Sequence, residues 1–289
     1  MAQRQIAANE RIDVRMPDAP NVGAGNTAVF KLPTARRFHE LQLVVSGTGV
    51  DLGDLEEIRV IANEKITHRY TGAERDSMNQ FDGRTAWNLS TNPTLVIPFE
   101  RYGMENSIAA QETALDTGPV VEGNGREIKA LSLEIDLKSD APGDLGLKLY
   151  ATQSMSLGRG AGTVMHIDRS VRDAAGAGEY QFSDLPYGGV TSQALNRVFI
   201  KPSANDISLM KIDRDTYTIF ERTKALNESI QKDGVRVPQS GYLVIDRTEK
   251  GFVGNRIDLR GVRDYRYKFT LTGAATLTFL SEYLGGLGD

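Results

Sequence analysis

The sequence contains no cysteine, which removes disulfides, thiolate metal sites and cysteine nucleophiles together. Stability must therefore come from packing, with oligomerisation open as a further source, and the redox compartment is left open. Neither sign of charge dominates. The 34 Lys and Arg against 38 Asp and Glu give a formal net charge of −4, so the basic excess that displaces counterions from phosphates is missing and direct nucleic-acid binding is not expected. Apolar runs are short: residues 41–45 and 95–99 are about as long as they become, well below the ~20 residues of a helical membrane span. The first ten residues lack the apolar stretch of a signal peptide, so export by that route is not expected. What remains is ordinary for a globular chain, with 40% hydrophobic and 25% charged residues. A length of 289 residues suits one or two domains.

Patterns that carry chemistry are equally scarce. The three histidines, His39, His68 and His166, are far apart in sequence and form no H-x-H or H-E-x-x-H pair to preset a metal site. The paired histidines of a cupin-type barrel are absent for the same reason. No G-x-S-x-G elbow and no G-x-x-x-x-G-K-[ST] loop occurs. Gly23-Ala-Gly25, Gly158-Arg-Gly160 and Gly176-Ala-Gly178 lack a strand-to-helix context and read as turns. The carboxylates Asp51, Asp54, Glu56 and Glu57, and the pair Asp213 and Asp215, read as a solvated loop and a solvated turn. Their sharper reading is structural calcium, although neither follows EF-hand spacing. Trp87 reads as a packing anchor in preference to a sugar platform. Arg4, Arg11 and Arg15 would suit acidic head groups or a partner subunit, but Glu10 and Asp13 offset them. No catalytic or cofactor-binding residue is assigned on this basis, metal ligands are left unassigned, and an enzyme is not expected.

The chain does contain one strand plan written twice, on either side of about residue 160. In the first half a strand pair around Ile58 and Ile66 leads to a polar helix-like stretch, 73–81, closed by Gly83 and followed by the strand 94–99. In the second a pair around Ile207 and Tyr217 leads to the stretch 222–231, closed by Gly234, then the strand 241–245. The offset is 149 residues from Ile58 to Ile207 and 151 from Gly83 to Gly234, much longer than the ~20 to 50 of a solenoid repeat. Two whole domains of one type follow.

Each half closes with a strand pair. Leu131, Leu133, Ile135 and Leu137 alternate with Ser132, Glu134, Asp136 and Lys138, and Tyr265, Tyr267, Phe269 and Leu271 alternate with Asp264, Arg266, Lys268 and Thr270. This is the period-2 signature of half-buried strands. Helical periodicity is confined to spacings such as Ile219, Leu226 and Ile230, which predict a helix with these residues as its apolar stripe. Many short strands with 29 Gly and 10 Pro indicate antiparallel sandwiches or barrels. Jelly rolls and immunoglobulin-like sandwiches are both open at this level, and a helix inserted at the same place in both copies favours the jelly roll. The glycine-rich segment 156–163 is the expected linker. Residues 1–19 are expected as an N-terminal arm, with 12–16 alternating as an edge strand or an arm laid over a neighbour, followed by a first jelly roll over 20–160 and a second over 161–289.

Particular residues carry a resemblance. Pro20-Asn-Val-Gly-Ala-Gly-Asn-Thr27, Phe30-Lys-Leu-Pro33 and Leu43-Val-Val-Ser-Gly47, and later Ile212-Asp213, the strand 241–245 and Ser281-Glu-Tyr-Leu-Gly285, resemble the double jelly-roll major capsid proteins of the corticovirus type, from membrane-containing icosahedral bacteriophages. The resemblance implies an all-β fold of two tandem eight-stranded jelly rolls, each with a short inserted helix, in a structural, non-enzymatic protein of the virion capsid. It implies homotrimers of pseudo-hexameric outline tiling a shell over an internal lipid membrane, with neighbouring capsomers, a penton protein and small viral membrane proteins as partners, assembled in the host cytoplasm. It brings structural calcium with it but no ligand set. The chain departs from the type by a longer extension before Pro20 and a longer insertion around 109–125, expected as an outer loop. The alternative function for such a fold is a tandem β-sandwich that binds carbohydrate or recognises a host. A paired-carboxylate hydrolase is the third class.

Overall fold

The computed structural model describes residues 10–89, 92–123, 125–183, 194–204 and 206–288. Arg4 and residues 1–9 of the expected arm lie outside them. The first half contains β1 (Ile12–Arg15), β2 (Thr27–Leu32), β3 (Arg36–Ser46), β4 (Leu55–Ala62), β5 (Lys65–Tyr70), α1 (Gly72–Phe81), β6 (Thr94–Pro98), α2 (Ser107–Gln111), β7 (Leu115–Asp116), β8 (Leu131–Leu137) and β9 (Gly146–Met155). The second contains β10 (Val164–Ala174), β11 (Gly178–Phe182), β12 (Ala194–Pro202), β13 (Ile207–Arg214), β14 (Tyr217–Thr223), α3 (Lys224–Gln231), β15 (Leu243–Asp246), β16 (Ile257–Asp258), β17 (Tyr265–Leu271) and β18 (Ala275–Gly285).

The halves repeat strand for strand. The order β1-β9-β3-β6, with β7 on β3, recurs as β10-β18-β12-β15 with β16 on β12, and β2-β8-β4-β5 recurs as β11-β17-β13-β14. Within each half all these pairings are antiparallel, and two such four-stranded sheets face to face make a jelly roll. Even an irregularity is copied. A bulge between Phe38 and Glu40 in the β3–β9 ladder has its counterpart between Leu195 and Arg197 in the β12–β18 ladder, where an extra residue turns the strand locally.

Alternation decides which face of each strand is inside. β8 and β17 bury every second residue, as their sequences require. β12 and β18 behave differently, with unbroken buried runs over 194–200 and 279–285. The reason is that their sheet is covered twice. One side, with Val198, Ile200, Leu277 and Phe279, belongs to the core of the second jelly roll. The other, with Phe199, Val244, Leu280 and Leu284, belongs to the core cluster of the first. A sheet covered on both faces loses the two-residue rhythm that an open one shows.

The helices follow from their caps. Thr71 and Glu74 exchange hydrogen bonds (Glu74 N to Thr71 Oγ1 3.1 Å, Thr71 N to Glu74 Oε2 2.8 Å) to start α1, and Thr223 Oγ1 accepts from Leu226 N at 3.3 Å to start α3. Each helix is then tied to the next strand by an amide. Asn79 Nδ2 donates to Val96 O at 2.8 Å, and Gln231 Nε2 and Asn227 Nδ2 donate to Val244 O at 2.8 and 2.7 Å. These bonds overturn the expected apolar stripe. Ile219 belongs to β14, the helix starts after Thr223, and it buries Asn227 and Gln231 while Leu226 stays 51% exposed. Gly83 stops α1 at φ +77°, where an added Cβ would stand 2.5 Å from Val235 O, so both conformation and space require glycine.

Part of the expected arm is sheet. β1 pairs along its length with β9, and Met16 after it is buried. The insertion is not simply an outer loop either: it contains the end of α2 and the strand β7, and Thr113, Ala114, Leu115, Asp116 and Thr117 are buried.

Candidate functional site

The halves meet along an extended junction. β5 of the first lies beside β10 of the second, in parallel, with His68 opposite Ile167, so one continuous sheet runs through both. Above it α1 and the residue that caps its end turn Glu74, Phe81 and Asp82 towards the second jelly roll. Glu74 holds Arg169 Nε at 3.0 Å, the Phe81 ring stands edge-on to Phe199 at 5.3 Å, and Asp82 pairs with Arg197. Arg197 also donates to Glu282 at 2.7 and 3.1 Å, and Asn196 donates to the other oxygen of the same carboxylate. Arg197, Asp82 and Glu282 are all buried. Their mutual bonds supply what water would otherwise provide, since a charge taken into the interior must be paired.

The electrostatics reflect that burial. Desolvation raises the Asp82 carboxyl despite the opposing pull of Arg197, and it lowers the Arg75 guanidinium beside it. His68 is fully enclosed between Tyr70 and Phe99, with ring centroids at 6.0 and 5.6 Å. Burial first, then the charges of Arg75 and His166, lower its pKa to about 3. The imidazole is therefore neutral in the folded protein, whereas the unfolded chain takes up a proton near the ordinary value of about 6.5. Between about pH 6.5 and 3 the unfolded state binds more protons, so stability falls as the pH falls, by at most about 1.4 kcal/mol per pH unit from this one group. Urea midpoints of wild type and His68→Gln at pH 7, 6, 5 and 4 will show a shallower acid slope in the variant; equal slopes would refute the assignment.

Two of the three histidines are thus brought together. His68 and His166 sit on neighbouring strands, with His166 Nε2 3.1 Å from Gly286 O. Among the described residues no group of His, Asp and Glu is arranged to hold a metal ion. The carboxylate clusters are engaged in local structure. Asp51 and Asp54 cap a short turn, Glu57 pairs with Arg59 and Arg69, and Asp213 pairs with Lys268 at 2.6 Å. Asp215, at φ +54°, accepts from the backbone of Arg263 and Asp264, and Glu56 is exposed. Trp87 packs against the first core. Arg15 pairs with Asp18.

Sequence reasoning missed a network around His39. Its Nε2 lies 2.8 Å from Ser154 Oγ and its Nδ1 2.5 Å from Glu100 Oε1, while Arg11 clasps the same carboxylate at 2.8 and 3.0 Å. Burial pushes Glu100 up, but His39 and Arg11 outweigh it and hold the carboxyl below its usual range. The connectivity is that of a Ser-His-acid triad. The setting is not. Ser154 lies inside β9, opposite Arg37 of β3, and is 4% exposed, whereas a nucleophilic serine stands on a sharp, exposed turn. The partners are 61 and 115 residues from His39 in sequence, which is why no motif revealed them.

A protein made of two jelly rolls locked through one sheet, with the buried group of Arg197, Asp82 and Glu282 across the lock, is of the double jelly-roll structural class. Profile comparison matches residues 13–154 to the viral coat protein P2 N-terminal domain and 164–287 to the viral coat protein P2 C-terminal domain. The chain belongs to the viral coat protein P2 family. It is a structural viral coat protein with the double jelly-roll fold and not an enzyme. Among solved structures it is similar to the major capsid protein P2 from bacteriophage PM2, with 20% identity and a TM-score of 0.83 over 96% of this chain and 98% of that one. It is also similar in fold to a chain from the atomic structure of Sulfolobus Turreted Icosahedral Virus (13%, 0.67, 96% and 92%) and to one from the PBCV-1 virus capsid (8%, 0.62, 100% and 97%). No curated protein sequence gives a significant match.

Proposed function

We propose that this coat protein works as a homotrimer whose six jelly rolls give a pseudo-hexameric capsomer, and that these capsomers tile an icosahedral shell over an internal lipid membrane. The observation that supports this reading is the repeat itself. Within a chain the β5 edge of one jelly roll meets β10 of the next, and the equivalent edges, β14 and β1, stand at the ends of their sheets. Head-to-tail contact between β14 of one copy and β1 of another repeats the internal relation, and heterologous contacts of this kind close into rings when the rotation allows. A penton protein at the vertices, small viral membrane proteins beneath the shell and assembly in the host cytoplasm complete the reading.

Light scattering of the purified protein, with electron micrographs of the same sample, tests it. The expected species has three times the chain mass of 31.7 kDa and a pseudo-hexagonal outline. A monomer indifferent to concentration would sink the proposal.

A further inference from the structure

The repeat also indicates which residues face the neighbouring copy. The caps align α1 with α3: Thr71 and Thr223 occupy the same place, 152 residues apart, so Glu74 corresponds to Leu226 and Met78 to Ile230. On α1 both positions are buried, and Glu74 reaches Arg169 across the junction. On α3, whose inward side is Asn227 and Gln231, Leu226 is half exposed and Ile230 partly so. An amphipathic helix normally turns its apolar side to the core. This one carries its apolar side outwards, at two positions that α1 buries and one of which, Glu74, binds the next jelly roll.

The opposing surface is defined by the ladders. In the second jelly roll the face receiving α1 presents Phe199, with Val244 and Leu280 as its cross-strand partners. In the first, the same ladder positions hold Gln42, with Val96 and Tyr150. All three are only partly buried. They form a mixed apolar and polar face, suited to a contact that forms after the chain has folded.

We infer that α3 of one copy, through Leu226 and Ile230, docks on the outer face of β3, β6 and β9 of the next copy, over Gln42, Val96 and Tyr150. The occupant is a second copy of this chain because the contact reproduces one that the chain already makes with itself. The inference rests on the trimer reading and adds the residues that join its subunits.

The absence of cysteine gives a clean background for the test. Leu226→Cys is combined in turn with Gln42→Cys, Val96→Cys and Tyr150→Cys, and each double variant is oxidised mildly. At least one is expected to yield disulfide-linked dimers and trimers on a non-reducing gel, which the single variants do not. In parallel, Leu226→Asp with Ile230→Asp is expected to keep the far-ultraviolet circular dichroism of the wild type while weakening trimerisation by roughly 30-fold or more, the effect of losing one interface hot spot. A wild-type trimer that neither cross-links at these pairs nor responds to the aspartates would overturn this inference and leave the trimer reading intact. A monomeric wild type would overturn both.

Discussion

Replacing Arg197 with leucine is expected to destabilise the protein by about 3 to 5 kcal/mol, the cost of removing one partner from a buried ion pair. Arg197 bonds Asp82 on one side and Glu282 on the other, and lies over the Phe199 ring at 5.5 Å. Without it Asp82 keeps the opposite charge of Arg75 nearby but also faces the like charge of Glu282. The loss should depend on pH in a definite direction. The folded-state Asp82 pKa is already raised by burial, and removing Arg197 raises it further. A carboxyl raised above its unfolded value contributes stability below that value and loses it as the pH climbs through the folded one. The gap between wild type and Arg197→Leu should therefore narrow from pH 8 to pH 5 when urea midpoints are compared at equal protein concentration. Replacing all three charges with leucine should recover most of the loss, because apolar substitutes for a complete buried ion group are often neutral or better. A constant gap across this range, or a triple variant as unstable as the single one, would contradict the account.

This junction was the part least legible in the sequence. The duplication, the alternating strands and the glycine stops follow from local chemistry, and Leu131 to Leu137 and Tyr265 to Leu271 sit in the strands that their alternation predicts. The stretches within residues 20–47 carry the family resemblance on local sequence alone. What local pattern does not convey is which face of an element receives a second neighbour. Nothing in the sequence marks the group that Arg197 and Glu282 form with Asp82, because its members, on β12, on β18 and just after α1, are remote from one another in sequence. Leu226 and Ile230 suggested a core-facing stripe because the rule that apolar residues point inwards assumes an isolated domain. In a protein built to contact copies of its own fold, that rule describes the assembly and not the chain.

The second large effect is expected at Phe279. This residue lies in β18, fully buried, with Phe182 and Phe269 each 5.8 Å away and Tyr267 at 6.4 Å. Phe279→Ala leaves a cavity among rings that cannot close over it, at a cost of about 3 to 5 kcal/mol. The more telling result is where that cost appears. β18 is shared: Phe279 faces the second core while its neighbour Leu280 belongs to the cluster of the first. The single tryptophan, Trp87, packs on the first jelly roll, so its fluorescence follows that half while far-ultraviolet circular dichroism follows both. If the shared sheet couples the halves, a cavity in the second core lowers the urea midpoint seen by Trp87 as much as the midpoint seen by circular dichroism. The two curves then stay superimposed, as one cooperative unit requires. If the fluorescence midpoint stays at its wild-type value while the dichroism curve splits, the jelly rolls unfold independently, and the buried ion group is a contact between two domains instead of the centre of one structure.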